Sequence, residues 1–400
     1  MIGFLYTFFY ILLLVPVLPV YIFLNRKKGY TFNLKERLVL YSDKGQNNLW
    51  FHCASVGELN VARPLIEYYK DRYNILITVF SPRGIDYAKK QYPYATVRTL
   101  PFDIPFLFKK FIKINNPVAV ISIEGEFWFN FVNTAHRFIP FISANTRISD
   151  NSYKKYKRWR FFYKKIFNSI DLFLVRSDKD YQYLKDFVDN PEKIILCGDL
   201  KFISSKSKKD IKFHKKGKIL IAGSTHAPEE KIFLQVFKKL KEKYPDLHLI
   251  IAPRHLERIE EVKKLIENSG FSYQLRSKSD IMEKDIYLID TIGELSGFYK
   301  YADVVFIGGT IANIGGHNVL EAALENKPVV IGKHYHKIDD IVKQLKEKIV
   351  FVAEDEKKLE DIISSLLNKG IENIDLYEEI DRIFRCYVQN INRVLGGKNG

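Results

Sequence analysis

Three carboxylates and two cations stand where a chain could do acid–base chemistry. In FHCASVGELNVARPL, Glu58 follows a short apolar run and comes three residues after Ser55, with Gly57 between them. Ser-x-x-Glu ahead of an apolar run is the pattern of a capping box. The same strand-turn-helix also pushes a carboxylate into a cleft, so from these residues alone Glu58 is either a cap or a base. ISIEGEFWFN sets Glu124 and Glu126 behind a second apolar run, SANTRIS sets Asn145 and Arg147 behind a third, and CGDLKF sets Lys201 behind a fourth. Carboxylates and cations gathered at neighbouring strand ends make a site that handles charge.

The second half carries a different set. AGSTHAPEE offers Ser224 and Thr225 at a strand end, and APRHLER offers Pro253, Arg254 and His255 at another. DTIGELSGF puts Gly293, Glu294 and Leu295 at a helix start. GGTIANIGGHNVLEAA has two glycine pairs, Gly308-Gly309 and Gly315-Gly316, before a helix expected from His317 or Asn318. Glycines there free backbone N–H groups to meet a phosphate, which the helix dipole also favours. Glu321, one turn in beyond Val319 and Leu320, would accept from ribose hydroxyls. The GxGxxG and GxxxxGK[ST] fingerprints are absent. His334 and His336 alternate without an acidic partner at triad spacing, so no metal and no cofactor is expected. Cys53, Cys197 and Cys386 are far apart and form no ligand pattern. They read as separate thiols in a reducing compartment.

Positioning these residues requires a regular scaffold. Apolar runs such as NILITVF, PVAVISI, KILIAGS and LHLIIAP alternate with amphipathic stretches, which suits parallel strands buried on both faces. Strand-helix alternation of this kind predicts α/β architecture, with two doubly wound Rossmann-like domains facing a cleft. The expected division is an anchor at 1–24, a first domain at 25–200, and a Lys- and Ser-rich linker at 201–217. A second domain follows at 218–375, and a helix at 376–400 is expected to cross back to the first. From Met1 to Leu24 there is no charge, and Arg26-Lys27-Lys28 follow. Such a segment is long enough to span a bilayer and puts the body of the chain on the cytoplasmic side. Pro16 and Pro19 suggest a kinked or shallow anchor. Lys and Arg number 63 against 47 Asp and Glu, a surplus of 16 that favours anionic partners. YKKYKRWRFFYKK, residues 153–165, reads as one amphipathic helix with a cationic face suited to anionic headgroups. No nucleic-acid-binding pattern accompanies the charge, so nucleic acid is not an expected partner.

Taken together, HCASVGE, EGEFWFN, NTRIS, GDLKF, APRH, DTIGEL and GGHNVLEA resemble the 3-deoxy-D-manno-octulosonic acid (Kdo) transferases. The motifs run in family order from the anchor to about residue 340. The resemblance implies the two-domain GT-B fold, a cell inner membrane location, CMP-Kdo as donor and the lipid A precursor as acceptor. It implies inverting transfer without a metal, with Glu58 as base and Glu124 and Lys201 stabilising the transition state. It also implies CMP contacts from Pro253, Arg254, Gly293, Glu294, Leu295, Asn318, Val319, Leu320 and Glu321. Ser55, Gly57, Glu126, Asn145, Arg147, Ser224, Thr225, His255, Gly316 and His317 are then candidate substrate contacts. Phe129 stands where the family has a proline and Thr146 where it has an alanine; both touch loop shape and neither a chemical group. Two alternatives stay open: a GT-B transferase using a UDP-sugar on a membrane lipid, and a non-catalytic, membrane-anchored binder of anionic ligands.

Overall fold

The structure, a computed structural model, describes residues 2–27, 29, 30, 32–204, 211–214, 217–372 and 376–396. The chain divides into two compact units, Met1–Ser204 with Ile380–Gly400, and Ser205–Glu379. Each is built on a seven-stranded sheet in which every pairing is parallel. In the first unit the strands are β1 (Asn48–Cys53), β2 (Asn74–Val79), β3 (Thr96–Thr99), β4 (Pro117–Ile123), β5 (Phe141–Thr146), β6 (Leu172–Val175) and β7 (Ile194–Leu196). Their order is β3-β2-β1-β4-β5-β6-β7. The second unit holds β8 (Lys218–Thr225), β9 (Leu247–Pro253), β10 (Tyr273–Leu275), β11 (Ile286–Leu288), β12 (Val304–Ile307), β13 (Val329–Gly332) and β14 (Val350–Ala353). Their order is β10-β11-β9-β8-β12-β13-β14. The architecture is that of two Rossmann-like domains of the GT-B class.

Both orders reverse direction beside the first strand, between β1 and β4 and between β8 and β12. Helices leaving neighbouring strands there turn to opposite faces, and a crevice opens beyond the carboxyl ends. Central strands are buried along their whole length, as runs such as LWF and LIIA require. In the first unit Trp50 packs 4.6 Å from Phe111 and 5.2 Å from Phe131, and its indole N–H donates to Thr78 Oγ1 at 2.7 Å. In the second, Phe233 and Phe306 lie 4.3 Å apart between sheet and helix.

The apolar N-terminal segment is one helix, Ile2–Lys27, which runs through Pro16 and Pro19 without a break. It is long and apolar enough to cross a membrane. Every fourth residue, Ile2, Tyr6, Tyr10, Leu14 and Leu18, packs against the core of the first unit. Asn130 donates to Thr7 Oγ1 at 3.0 Å, and the Asp103 N–H donates to the Tyr10 hydroxyl at 3.2 Å. The other sides of the helix expose Phe4, Phe8, Phe9, Leu12, Leu13, Val15 and Phe23.

Three expectations need correction. The basic stretch is two helices, Asp150–Arg158 and Arg160–Asn168, broken at Trp159. The break turns residues of both halves onto one aromatic cluster, with Tyr156 4.1 Å from Tyr163 and 5.4 Å from Phe167. Cys197 and Cys386 are bonded, not separate thiols, with Cα atoms 5.5 Å apart. A helix at Leu376–Gly396 brings Cys386 to the strand end at β7, a pairing that sequence spacing could not reveal. Cys53 is free and buried. Of the stretch 201–217, residues 205–210 and 215–216 lie outside the described residues. Lys201–Ser204 form a helical turn of the first unit, and Ile211 and Phe213 are buried in the second. Short edge strands β3, β7, β10 and β14 complete the sheets.

Glu229 organises the second unit. Its carboxylate, fully buried, accepts from the backbone N–H groups of His226, Gly309, Thr310, Ile311 and Ala312 at 2.9–3.1 Å. Those bonds tie the start of the helix Glu229–Lys243 to the glycine-rich segment after β12. Hydrogen bonds to a buried charge are each stronger than neutral ones, and unpaired donors left behind are costly. Glu229→Ala should therefore lower the stability of the second unit by about 3 kcal/mol or more. A loss below about 1 kcal/mol in denaturant unfolding would show that the segment holds its shape without the carboxylate.

Candidate active site

Within the first unit, the sequence-predicted residues gather at the β1/β4 reversal. Ser55 caps the helix Val56–Tyr69, its hydroxyl accepting from the Glu58 N–H at 3.4 Å. The Glu58 carboxylate turns back and accepts the Ala54 N–H through Oε2 at 2.5 Å. This is a capping box shifted by one residue, since the reciprocal bond goes to Ala54 and not to Ser55. It occupies one carboxylate oxygen and leaves Oε1 bonded to none of the described residues. Burial pushes the Glu58 carboxyl up to about 7, and the charges of Glu124 and Glu126 add to the rise against the Ala54 and Ser55 hydrogen bonds. Glu58 is thus both a cap and a carboxylate whose proton exchanges near neutrality.

Glu124 leaves β4 in the left-handed region at φ 62°, a conformation rare for a side chain with Cβ, and its N–H donates to Ala144 O at 2.9 Å. Its Oε1 lies 3.7 Å from Lys201 Nζ. Glu126 accepts the Trp128 indole N–H at 2.6 Å, and burial raises its carboxyl. Asn145 is a brace: fully buried at φ 54°, its amide oxygen accepts from the Leu200 N–H at 2.9 Å and from the Tyr387 hydroxyl at 3.4 Å. Asp199 adds a second brace, accepting the Lys201 N–H at 2.9 Å and lying 3.5 Å from Arg176 Nη1. Both hold the loop that carries Lys201. Arg147 and Gly57 are exposed beside the group. A cavity of about 340 Å³ adjoins it, lined by Tyr6, Gly125, Glu126, Trp128, Lys155 and Tyr163 among others.

The second unit has its own cavity at the β8/β12 reversal, of about 400 Å³. Ser224, Pro253, Arg254, Gly293, Leu295, His317, Asn318 and Glu321 line it. The Arg254 N–H donates to Thr225 O at 3.0 Å, which fixes the turn after β9. Burial raises the Glu321 carboxyl, opposed by Asn318 and by the charge of Arg254; Asn318 Nδ2 donates to Glu321 Oε1 at 3.1 Å. The helix expected from His317 or Asn318 starts later, at Leu320, and is five residues long. Gly315 and Gly316, at φ 103° and 89°, keep the chain out of the helical region until Asn318 accepts the Leu320 N–H at 3.0 Å.

Other expected residues lie apart from the cavity wall. Glu294 turns to Arg276, whose Nε and Nη2 donate to it at 3.2 Å, and to the Thr291 hydroxyl. Val319, Leu320 and Thr225 are buried, Gly316 packs against Ile338, and His255 stands edge-on to His226 at 5.5 Å. Sequence reasoning missed Glu229 and His226. Both sit in STHAPEE, where a buried carboxylate reads like any acidic residue in the first turn of a helix.

Residues 33–204 match the family model described as 3-Deoxy-D-manno-octulosonic-acid transferase (kdotransferase), and residues 204–382 match that of Glycosyl transferases group 1. The 3-deoxy-D-manno-octulosonic acid transferase of Aquifex aeolicus is 34% identical over 351 residues, 87% of this chain and 94% of that one. Its namesake in Haemophilus influenzae is 29% identical over 388 residues, 91% of each. Among solved structures, the UDP-GlcNAc 2-epimerase of Neisseria meningitidis bound to UDP-GlcNAc superimposes with a TM-score of 0.57. It covers 86% of this chain and 100% of that one at 11% identity, a likeness of fold alone. With two matching domain models and a relative of this identity aligned over nearly its whole length, the chain belongs to the 3-deoxy-D-manno-octulosonic acid transferase family of glycosyltransferases.

Proposed function

We propose that the protein transfers Kdo from CMP-Kdo to a lipid A precursor, lipid IVA, with inversion and with Glu58 as general base. One observation carries this reading: a carboxylate clamped through one oxygen, open at the other and titrating near 7, at the reversal point of the first sheet. Glu58 takes the proton from the acceptor hydroxyl as that oxygen bonds to the anomeric carbon. The bond from that carbon to the phosphate oxygen breaks, and its electron pair leaves with CMP. The Glu124–Lys201 ion pair stabilises charge at the reacting centre, and Arg254 meets the phosphate. Glu321 and Asn318 accept and donate at the nucleoside. The cavity beside Glu126, aromatic with one lysine, takes the sugar of the acceptor. This reading accounts for the reactive carboxylates better than a non-catalytic binder of anions does. Competition of CMP against UDP for the second-unit cavity separates it from a UDP-sugar transferase.

Glu58→Gln keeps an acceptor for the Ala54 N–H but cannot take a proton. Turnover should fall about 10²–10⁴-fold with CMP affinity unchanged. Near wild-type turnover would leave Glu58 as a cap alone. In the wild type, turnover should rise with pH through about 7 as Glu58 ionises. Because the folded pKa is raised, the native chain binds this proton more tightly than the unfolded chain. The stability it contributes is present below the ordinary carboxylate range and is lost as pH rises through about 7. Above that pH, Glu58→Gln should melt no lower than the wild type.

Arg254→Ala should weaken CMP by roughly tenfold or more without changing the melting temperature, since the side chain is exposed at a strand end. Equal affinity by calorimetry would remove Arg254 from the site.

The exposed apolar sides of the helix Ile2–Lys27 are proposed to sit in the inner membrane, with the catalytic units on the cytoplasmic side and Arg26 and Lys27 at the headgroups. The Cys197–Cys386 bond is the observation that pulls against a reducing compartment. Removal of residues 1–24 should release the chain from membranes, and should also destabilise the first unit by uncovering Phe129 and Phe162. A truncated chain that still pellets with vesicles would move the anchoring role to the basic helices at 150–168.

A further inference from the structure

Two histidines in the second unit share a contact that the proposed chemistry above does not use. His226 Nε2 and His317 Nε2 are 2.8 Å apart, with ring planes within 9° of parallel. At that distance one nitrogen must carry a proton and the other must accept it. The two rings are therefore linked by one shared proton, and each keeps its Nδ1 for a second role.

The couple is held from both sides. The His226 N–H donates to the buried Glu229 carboxylate, and the same carboxylate pins the glycine segment from which His317 follows. A Cβ added at Gly309 would come within 3.1 Å of the His317 ring, a tight contact that the ring would have to shift to relieve. His317 lines the cavity together with Arg254, while His226 backs it.

Electrostatically the couple sits among opposing groups. Around His317 are Arg254, His226, Lys337 and His255; burial, then these cations and rings, lower its pKa to about 4. Around His226 are Glu229, His255, Glu230 and Arg258; burial is the largest influence and lowers it. Glu230 is itself taken by Arg258 at 2.7 Å, and Glu229 by backbone N–H groups. With no anion in the cavity the couple is held neutral. A phosphoryl group supplies the missing negative charge.

We propose that His226 and His317 form a proton-sharing couple that takes up one proton from solvent when a nucleotide's phosphoryl group enters this cavity. The proton enters at Nδ1 of the ring that donates the shared bond. That ring becomes an imidazolium and the Nε2–Nε2 bond survives. His317 is the contact to the phosphate, and His226 is a positioning residue acting through it. The proposal rests on the reading of the cavity as the CMP site. In turnover the same positive charge would stabilise the phosphate as it gains a second negative charge on leaving the sugar.

The test is calorimetric titration of the full chain with CMP in buffers of different ionisation enthalpy, at about pH 8. There the second ionisation of a phosphate monoester, near ~6, is complete and contributes no proton of its own. Wild type should take up a measurable fraction of a proton per CMP bound, and that fraction should grow when the titration is repeated nearer pH 7, since the free couple is held neutral at both. His226→Gln, which can still hydrogen-bond His317 but cannot hold a proton, should lose that uptake and bind CMP about tenfold more weakly. His317→Gln should behave alike, and unchanged melting would show both variants folded. Uptake absent in wild type, or retained undiminished in either variant, overturns the couple while leaving the CMP site standing. Failure of the wild type to bind CMP at all brings down the reading of the cavity and the couple with it.

Discussion

Five backbone N–H groups converge on the carboxylate of Glu229, and the working end of the second unit depends on that convergence. Three consecutive amides after β12 cannot point at one place unless the chain leaves the sheet direction there, which Gly309 permits at φ 71°. A buried charge is tolerated only when fully solvated by the protein, and here the protein supplies that solvation from its own backbone. The direction of His226, the path of the segment 308–318 and the rim of the cavity all follow from meeting this requirement.

The first unit solves the parallel problem with side chains. Asn145 and Asp199 hold the loop after β7 by its amides at Leu200 and Lys201, and Arg176 connects Asp199 to Asp180, which in turn accepts the Ile148 N–H at 2.7 Å. Lysine is a long, mobile cation, so its usefulness near Glu124 rests on a backbone that does not drift. In both units the candidate site groups such as Glu124, Lys201 and Arg254 are exposed or half-buried, and the groups that brace their loops, Asn145, Asp199 and Glu229, are buried polar residues.

Much of this was legible in the sequence because it is written in local patterns. Runs such as NILITVF and LHLIIAP announce strands buried on both faces, and residues directly behind them fall at strand ends whatever the details of packing. The shift of the Glu58 bond from Ser55 to Ala54 is finer than such a pattern can resolve. What escaped depends on partners distant in the chain. Glu229 meets Gly309 eighty residues later, and Cys197 meets Cys386 across 189 residues. Edge strands of three or four residues, such as Ile194–Leu196, are too short to show a period. The docking of the N-terminal helix was hidden for another reason: a uniformly apolar segment does not reveal which of its sides a protein will claim.

The bond between Cys197 and Cys386 has a topological consequence. It joins the last strand end of the first unit to a helix that arrives only after the whole of the second unit has been made, so the second unit lies inside a covalent ring of the chain. While it is intact, a single cut of the backbone anywhere between the two cysteines opens that ring without parting the molecule. The pieces stay tethered through Cys386 on that helix and Cys197 on the loop that presents Lys201. Integrity of the end that carries Lys201 and continuity of the polypeptide are, in this chain, separate properties.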